Sequence, residues 1–433
     1  MLLRTYTIAL ALFSLAAASS GAERQILHTF RGNPDGAGPE SNLIMDGNGN
    51  LYGTTFAGGT GPCDGGCGTV FELSPNSSGG YTERVIHSFQ GSLVDGQMPE
   101  APLTFDAKGN LYGTTLSGGQ SLTRAAGTVF KLTRQAGGDW TETVLHSFNG
   151  ALDGGTDGGE PQAGVVFDAA GNLYGTTAGG GTGVGCVGGN GCGTVYELSP
   201  TAEGKWRETI LHNFTNDHSD GWIPLSTLIM DLAGNLYGTT YYGGSAPAGG
   251  GTVFRLSPSS DGWQESILYN FRCAADGCSP YSGVVFDAAG NLYGTTVGGG
   301  GNPARGVAYQ LTPNTMGGWT ESVIHTFGLS ASDGVMPYGN PIVDAAGNVY
   351  GTTFGGGGGQ NSSCLGGCGT VFELSPKDGG GYTESILTRF GNGGQGSSPL
   401  TGLLMDDAGN LYGTAAFGGG AGAGGVVFEI GGL

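Results

Sequence analysis

A nine-residue motif that recurs seven times is the feature that most constrains how this chain can fold. Its pattern is Asp-x-x-Gly-Asn-(Leu/Val)-Tyr-Gly-Thr, and consecutive copies lie 56 to 63 residues apart. The copies begin at Asp46, Asp106, Asp168, Asp231, Asp287, Asp344 and Asp406. A repeat of this length is typical of proteins that use one supersecondary unit many times, so each period is expected to fold as one such unit.

Each repeat contains four segments with the sequence character of β-strands. In the first copy these segments are residues 43–45, 50–55, 68–73 and 82–89. The third and fourth alternate in polarity and are rich in β-branched and aromatic residues, as half-buried strands are. Between the first and second, Asp-x-x-Gly-Asn supplies a tight turn, because Gly and Asn tolerate positive φ. Four antiparallel strands per repeat predict one blade of a β-propeller, and seven repeats predict seven blades.

The first and last strand-like segments complement each other. The last repeat ends at a third strand, residues 426–430, whereas residues 25–30 look like a fourth strand with no repeat before it. We therefore predict an all-β, seven-bladed β-propeller over residues 23–433, a single domain. Its ring closes when the N-terminal strand completes the last blade, and closure leaves no open sheet edge.

Residues 1–22 have the features of a signal peptide. Arg4 provides the positive charge, residues 6–15 are apolar but too short to span a membrane, and small residues follow. Cleavage after Ala22 and cleavage within residues 16–18 both remain open. The chain is expected to be secreted, either extracellular or periplasmic, with no transmembrane segment after the signal peptide.

The eight cysteines fall into four local pairs. An even number, an export signal and close spacing together favour disulfides. Zinc binding is the weaker alternative, because the pairs belong to different repeats and structural zinc sites need two converging pairs. The predicted disulfides are Cys63–Cys67, Cys186–Cys192, Cys273–Cys278 and Cys364–Cys368.

The formal net charge of −20 narrows the classes of partner and cofactor. Such a surface repels phosphate backbones and anionic lipid headgroups, so no nucleic-acid partner is expected. It would tolerate Ca²⁺ or neutral sugars, but no single loop has the ligand density of a Ca²⁺ site. We predict no cofactor, and the sequence leaves a metal requirement open.

The repeated runs also resemble a known family. Asp-x-x-Gly-Asn-Leu-Tyr-Gly-Thr-Thr and Gly-Thr-Val-Phe-Glu-Leu-Ser-Pro are similar to the GloVer tandem repeat of bacterial extracellular "choice-of-anchor" proteins, over essentially the whole chain after residue 22. The resemblance implies export and a repeat-built surface protein, and it implies no catalytic residues. Members of that family often end in a sorting anchor. This sequence stops at Leu433 soon after a strand, so free secretion or periplasmic residence is expected.

Two further features recur with the repeat. Five of the six histidines precede a Phe in the fourth strand: His28, His87, His146, His212 and His325. Because fourth strands lie on the outer rim, histidines of different blades should be too far apart to share one ion, and each is interpreted as a half-buried residue within its own blade. The second feature, Asp-Gly-x-x-Pro before six of the blades, is interpreted as a turn, with cation attraction as the alternative.

The fourth blade departs most from the repeat. Its preceding loop holds the sixth histidine and a Trp outside the repeated Trp position, and its second strand ends in two tyrosines. Aromatic rings beside carboxylates and an imidazole suit a sugar, which stacks on rings and accepts or donates hydrogen bonds. Asp217 and His218 could in addition act as acid and base. The candidate ligand-binding residues are Asp217, His218, Asp220, Trp222, Tyr241 and Tyr242.

Three functional hypotheses remain after these observations. The leading one is a non-catalytic binding or scaffold protein for a polysaccharide, an extracellular protein or another cell-envelope partner. The second is a carbohydrate-active lyase or hydrolase on the same loop face, and the third is a structural surface component. No Gly-x-Ser-x-Gly, His-Glu-x-x-His or Walker motif is present, so no catalytic residue is predicted and an enzyme is the less favoured interpretation.

Overall fold

The computed structural model describes residues 23–91, 95–120, 127–150, 156–186, 191–301, 305–358, 364, 366–391, 394–420 and 422–432. Every regular element within them is a β-strand. The strands form seven four-stranded antiparallel sheets, arranged as a seven-bladed β-propeller. Among these residues there is no helix long and apolar enough to cross a membrane. The predicted signal peptide, residues 1–22, lies outside the described residues.

Each blade has four strands, which in the first six blades follow chain order from the propeller axis outwards. The first strands are Ile44–Met45, Thr104–Phe105, Val166–Phe167, Ile229–Met230, Val285–Phe286, Ile342–Val343 and Leu404–Met405. The second strands are Leu51–Thr55, Leu111–Thr115, Leu173–Thr177, Leu236–Thr240, Leu292–Thr296, Val349–Thr353 and Leu411–Ala415. The third strands are Thr69–Pro75, Thr128–Arg134, Thr194–Pro200, Thr252–Ser259, Val307–Pro313, Thr370–Pro376 and Val426–Gly431. The fourth strands are Tyr81–Ser88, Trp140–Ser147, Trp206–Asn213, Gly262–Asn270, Trp319–Thr326, Tyr382–Arg389 and, for the last blade, Glu23–Thr29.

Five short two-stranded ribbons lie above the blades on the loop face. In each of them the segment after an Asp pairs with the segment that follows a second strand. The pairs are Gly36–Ala37 with Ala57–Gly58, Gly96–Gln97 with Ser117–Gly118, Gly158–Gly159 with Gly179–Gly180, Gly221–Trp222 with Tyr242–Gly243, and Gly334–Val335 with Gly355–Gly356. The ribbons therefore join the loop that leads into each of these blades to that blade's own second strand.

The ring closes as the sequence predicts. Glu23–Thr29 pairs antiparallel with Val426–Gly431 and forms the outer strand of the seventh sheet. Phe30, which follows this strand, is fully buried and packs edge-on against Phe71 of the first blade, with ring centroids 5.0 Å apart. The last blade is thus built from both ends of the described chain.

The repeated motif is explained by the hydrogen bonds of its turn. The carboxylate of Asp231 accepts hydrogen bonds from the backbone N–H of Ala233 and of Asn235, each at 2.9 Å. It also accepts one from the Asn235 side-chain amide at 2.7 Å and one from the Tyr237 hydroxyl at 3.0 Å. One carboxylate thereby fixes the hairpin between the first and second strands, which requires Asp, Asn and Tyr at these spacings.

Neighbouring blades pack through aromatic rings. At every junction the Phe that follows a fourth strand lies edge-on or tilted against a ring on the third strand of the next blade, at 5.0–5.2 Å. That third-strand ring covers the glycine of the motif: a Cβ on Gly53 would lie 2.7 Å from the Phe71 ring. Glycine is therefore required in Tyr-Gly-Thr because an aromatic side chain occupies the space above it.

The structure forms three of the four predicted disulfides, Cys63–Cys67, Cys186–Cys192 and Cys364–Cys368. The fourth prediction is wrong, because Cys273 and Cys278 are free thiols. The chain between them closes a hairpin through its backbone instead: the Cys273 N–H donates to the Gly277 carbonyl at 3.1 Å, and Cys278 pairs with Gly298. The two thiols are left in hydrogen-bonding contact, and burial raises the pKa of Cys273 to about 12.

Candidate functional site

A cavity of about 230 Å³ opens at the propeller axis on the loop face. All seven blades contribute to it through the residue that follows the proline of the loop before each first strand. These residues are Glu40, Glu100, Gln162, Leu225, Tyr281, Tyr338 and Leu400. The cavity, called the axial pocket here, is therefore a product of ring closure, which brings seven residues distant in sequence to one point.

An uninterrupted row of aromatic side chains runs from the axial pocket to the fourth blade. Neighbouring rings in it are 4.5 to 6.2 Å apart, which is the range of favourable aromatic contacts. In order, this aromatic row contains Phe354, Tyr338, Tyr281, Tyr241, Tyr242 and Trp222. Tyr281 and Tyr338 line the pocket, so the row and the pocket are continuous.

Three of the six candidate residues proposed from sequence belong to this row. Trp222 is buried and stacks on Tyr242 at 4.8 Å with a 30° tilt, and their backbones pair across the ribbon. Tyr242 is 40% exposed, and its other neighbour is the half-buried Tyr241, at 4.5 Å. The structure therefore brings together Trp222, Tyr241 and Tyr242 as expected, with Tyr242 offering its surface to solvent.

The other three candidates do not join the row. Asp217 is exposed and accepts hydrogen bonds from Ser219 and from the Asp220 N–H, so that it caps its own turn, and the Ser219 bonds lower its pKa. His218 is exposed in that turn with a φ of 69°. Asp220 is buried and faces His212 instead. These contacts give no support to an acid–base pair of Asp217 and His218.

Two glutamates give the axial pocket an acidic side. Glu40 and Glu100 come from the first two blades, across the ring from Tyr281 and Tyr338, and both are half-buried. Burial raises the pKa of Glu40 to about 7, and burial together with the charge of Glu40 raises the pKa of Glu100 to about 7. Near neutral pH these carboxyls can therefore either donate or accept a proton.

A second constellation recurs at the junctions between blades. At five junctions a fourth-strand His, the Asp of the next Asp-Gly turn and a fourth-strand Glu of the next blade place their ligand atoms within 4.8 Å of one another. We call these sets the junction triads. They are His28/Asp35/Glu83, His87/Asp95/Glu142, His146/Asp157/Glu208, His212/Asp220/Glu265 and His325/Asp333/Glu384.

The junction triads correct the interpretation of the histidines from sequence. Each histidine is half-buried as expected, and each triad holds one histidine. The expectation that it serves only its own blade is wrong: His212 Nε2 lies 3.1 Å from Asp220 and 3.8 Å from Glu265 of the next blade. The missed signal was the glutamate four residues before the His position, which is present in six of the seven blades.

The electrostatics of a junction triad depend on its burial. Burial, with the charge of Asp220 as a smaller contribution, raises the pKa of Glu265 to about 8. Burial alone would lower the pKa of His212, but its hydrogen bond to Asp220 and the charge of Glu265 raise it. The Asp220 carboxylate is fixed by the backbone N–H groups of Gly221 at 2.6 Å and Thr215 at 3.0 Å. Imidazole and two carboxylates form a donor set that can hold a metal ion.

Comparisons with solved structures find the fold at low sequence identity. An ancestral GH74 enzyme is 12% identical with a TM-score of 0.50, covering 91% of this chain and 51% of that enzyme, so the chain spans about half its length. A luciferin-regenerating enzyme is 11% identical (TM-score 0.40, 95% of this chain and 96% of that one). The calcium structure of a Trichoderma reesei carbohydrate-active enzyme of family AA12 is 12% identical (TM-score 0.41, 96% of each chain). At such identities the similarity concerns the fold alone.

Sequence comparison identifies the repeat itself. No curated protein was found to match the chain. The family model of the Gloeobacter/Verrucomicrobia repeat matches residues 11–249, 143–365 and 247–432, which together cover nearly the whole sequence. These matches agree with the family that the recurring Asp-x-x-Gly-Asn motif resembles, so the chain belongs to the Gloeobacter/Verrucomicrobia repeat family.

Proposed function

We propose that this protein is an exported carbohydrate-binding propeller. The axial pocket would take one unit of a polysaccharide, and the aromatic row would take the units that follow. The observation that carries this proposal is the continuity of the two surfaces, since Tyr281 and Tyr338 belong to both. Aromatic rings stack on the apolar faces of sugars, and neighbouring carboxyl and amide groups bind the hydroxyls.

The dimensions of the two surfaces support this division of roles. The pocket, at about 230 Å³, is smaller than the range of roughly 300–1,000 Å³ that is usual for small-molecule sites. It therefore suits one sugar unit rather than an oligosaccharide. Glu40, Glu100 and Gln162 supply hydrogen-bonding groups there. Further out, the exposed Tyr242 offers a platform that the buried Trp222 holds in place.

The cysteine chemistry supports the extracellular or periplasmic location. The structure contains three local disulfides. Disulfides occur mostly in proteins of oxidising compartments. All three brace loops on the face that carries the axial pocket, which limits the conformational freedom lost when a ligand binds. We propose a polysaccharide ahead of a protein of the cell envelope because the aromatic row continues into the axial pocket.

A carbohydrate-active enzyme is the second candidate, and one observation favours it. Glu40 and Glu100 lie in the same pocket, and both have a pKa raised to about 7. A carboxyl group with a raised pKa can act as the general acid in glycoside cleavage, beside a second carboxylate that acts as base or nucleophile. On this alternative the aromatic row would position the chain that is cut.

The test is a panel of polysaccharides and glycans, measured for binding and for released reducing ends in the same samples. We expect saturable binding that Tyr281→Ala and Tyr242→Ala each weaken up to about tenfold, since an aromatic contact contributes about 0.5–1.5 kcal/mol beyond the area it buries and about 1.4 kcal/mol is tenfold in affinity. Phe417→Ala is the matched control, because Phe417 occupies the position of Tyr242 in the seventh blade and is 53% exposed. Equal weakening by all three variants would contradict a site on the aromatic row.

Product release separates the two candidates. Binding without release supports a binding module. Release that Glu100→Gln abolishes while binding persists supports the enzyme. If no carbohydrate binds and the chain assembles with itself, the carbohydrate proposal is wrong and a structural surface component becomes the better interpretation.

A further inference from the structure

The junction triads have the spacing of a metal-binding site. In a tetrahedral zinc site with bonds of about 2.0–2.1 Å, ligand atoms lie about 3.3 Å apart. His146 Nε2 is 3.5 Å from Asp157 and 3.7 Å from Glu208, and the corresponding distances from His325 are 3.5 and 3.6 Å. Small side-chain adjustments would therefore bring all three atoms onto one ion.

Three of the five triad histidines lack a hydrogen bond within the described part of the chain, whereas His28 and His212 each bond the Asp of their triad, at 3.3 and 3.1 Å. His87 Nε2, His146 Nε2 and His325 Nε2 are buried without a hydrogen-bond partner. Asp333 Oδ1 also has no hydrogen-bond partner, and the Asp333 side chain is only 6% exposed, so water has little access to it. One imidazole N–H cannot satisfy two carboxylates, so each junction triad gathers more acceptors than donors. Buried polar atoms without partners are costly, and a cation between them would satisfy all three groups.

The sixth junction, between the fourth and fifth blades, keeps the two acids but not the histidine. Tyr269 stands at the His position, with Asp276 and Glu321 at the acidic positions. The Tyr269 hydroxyl donates directly to Asp276 at 3.0 Å. A neutral hydroxyl thus supplies the proton that this Asp needs, and no nitrogen ligand remains.

At the seventh junction, between the sixth and seventh blades, all three positions differ together. Thr388 replaces the His, Gln395 replaces the Asp, and Arg24 replaces the Glu. The Arg24 guanidinium donates to the Gln395 carbonyl oxygen at 2.5 Å, so a fixed positive charge lies where the acids are absent. The His, Asp and Glu therefore occur as a complete set at five junctions and are lost as a set at this one, as ligands of one ion would be.

We infer that each of the five junction triads binds one divalent transition-metal ion through the His Nε2, one Asp oxygen and one Glu oxygen. The imidazole favours ions such as Zn²⁺ over Ca²⁺ and Mg²⁺, which prefer oxygen ligands alone. Backbone N–H groups already orient the Asp, as Gly221 and Thr215 do for Asp220. Because the His and the Glu come from neighbouring blades, each ion would join two blades of the ring.

The test measures metal content and the effect of metal on stability. The purified chain, carrying Cys273→Ser and Cys278→Ser and no polyhistidine tag, is stripped with a chelator, titrated with Zn²⁺ in a calorimeter and assayed by elemental analysis after gel filtration. We expect five ions per chain, one for each junction triad, and a rise in the unfolding temperature with Zn²⁺ that equimolar Mg²⁺ does not give. Zinc bound without saturation, or none retained after gel filtration, would overturn the inference.

Three substitutions make the test specific. His212→Tyr copies the arrangement that the fourth blade already tolerates at Tyr269, so the variant should fold and bind one ion fewer. Tyr269→His completes a triad with Asp276 and Glu321 and should bind one ion more. His218→Ala removes the exposed histidine outside the junction triads and should leave the number unchanged. Unchanged stoichiometry in both of the first two variants would show that the ions lie elsewhere.

Discussion

The carboxylates of Asp231 and Glu100 are both partly removed from water, but their surroundings move their pKa values in opposite directions. Burial tends to raise the pKa of Asp231, yet the hydrogen bonds from Asn235, Tyr237 and Ala233 outweigh it and lower the pKa. Within the described part of the chain Glu100 has no comparable donors in the axial pocket, and burial together with the charge of Glu40 raises its pKa to about 7. The first carboxylate is therefore structural, whereas the second is available to a ligand.

The raised pKa of Glu100 predicts a stability that changes with pH. The folded state holds the proton up to about pH 7, whereas an ordinary glutamate releases it near 4.5. Wild-type stability should therefore fall as the pH rises through this interval. Glu100→Gln removes the buried charge and keeps the shape. It should leave the unfolding temperature unchanged at pH 4 and raise it by a few degrees at pH 8, for a gain on the order of 1–2 kcal/mol after solvent screening.

Thermal unfolding of wild type and variant at pH 4, 6 and 8 checks this prediction. Glu203→Gln, on an exposed turn, is the control and should show no such pH dependence. A gain of the same size at pH 4 and pH 8 would mean that ionisation of Glu100 does not cause it.

At this scale the sequence predicts pairs within one repeat better than groups gathered from several. Trp222 and Tyr242 stand out because they break the repeat, and the ribbon brings them together. Tyr281 and Tyr338 each follow a loop proline in separate blades, and only ring closure joins them at the axis. The predicted disulfide between Cys273 and Cys278 is wrong for a local reason, because backbone hydrogen bonds already close the hairpin between these residues.

The hairpin turn between the first and second strands is the element that the sequence determines most completely. Asp406 accepts hydrogen bonds from Ala408 N, Asn410 N, the Asn410 amide and the Tyr412 hydroxyl, at 2.8 to 3.2 Å. These bonds lower the pKa of Asp406 although burial opposes them. All the groups lie within seven residues, which is why a short motif suffices to specify the turn.

Asp406→Ala should therefore destabilise the protein by about 1–3 kcal/mol at pH 7, since several partly buried donors lose one acceptor. Asp407→Ala, on the exposed neighbour in the same turn, is the matched control and should cost less than about 0.5 kcal/mol. Because the folded pKa of Asp406 is lowered, its contribution is lost as the pH falls below the ordinary value of 3.8. Denaturant unfolding at pH 7 and pH 3 measures both effects, and equal losses in the two variants would exclude the turn as the cause.

The two-stranded ribbons are the elements that sequence reasoning missed. Gly158–Gly159 and Gly179–Gly180 pair with one another although neither has a side chain to show a strand pattern. Their glycines are required by close approach: a Cβ on Gly158 would lie 2.2 Å from Thr177. Polarity patterns reveal strands through their side chains, so strands made of backbone alone leave no such signal.

At the scale of the whole molecule, the ring depends on one strand supplied from the opposite end of the repeat array. Glu23–Thr29 pairs with Val426–Gly431 and packs the half-buried Ile26 against the core between the sixth and seventh blades. In every other blade all four strands are contiguous in sequence. Backbone hydrogen bonds therefore connect the two ends of the repeat array within the seventh blade. Without this shared strand, only side-chain packing would join the first blade to the seventh.

Circular permutation tests whether this strand is what keeps the ring closed. Glu23 pairs with Gly431, so a short linker can join residue 432 to residue 23. A permutant opened between Gly137 and Gly138 cuts the turn between the third and fourth strands of the second blade. The new N-terminal strand would then complete that blade beside the new C-terminal strand, as in the wild-type seventh blade. A permutant opened between His218 and Ser219 cuts between blades, so each blade is contiguous and no strand crosses the closure.

We expect the first permutant to unfold within a few degrees of the wild type, and the second to unfold several degrees lower and with reduced cooperativity. A third permutant, opened between Glu203 and Gly204 in the corresponding turn of the third blade, should behave like the first. Thermal unfolding and size-exclusion chromatography provide the comparison. If the permutant opened between blades is as stable as the other two, aromatic packing between blades, such as that of Phe214 on Phe254, is sufficient to close the ring and the shared strand is dispensable.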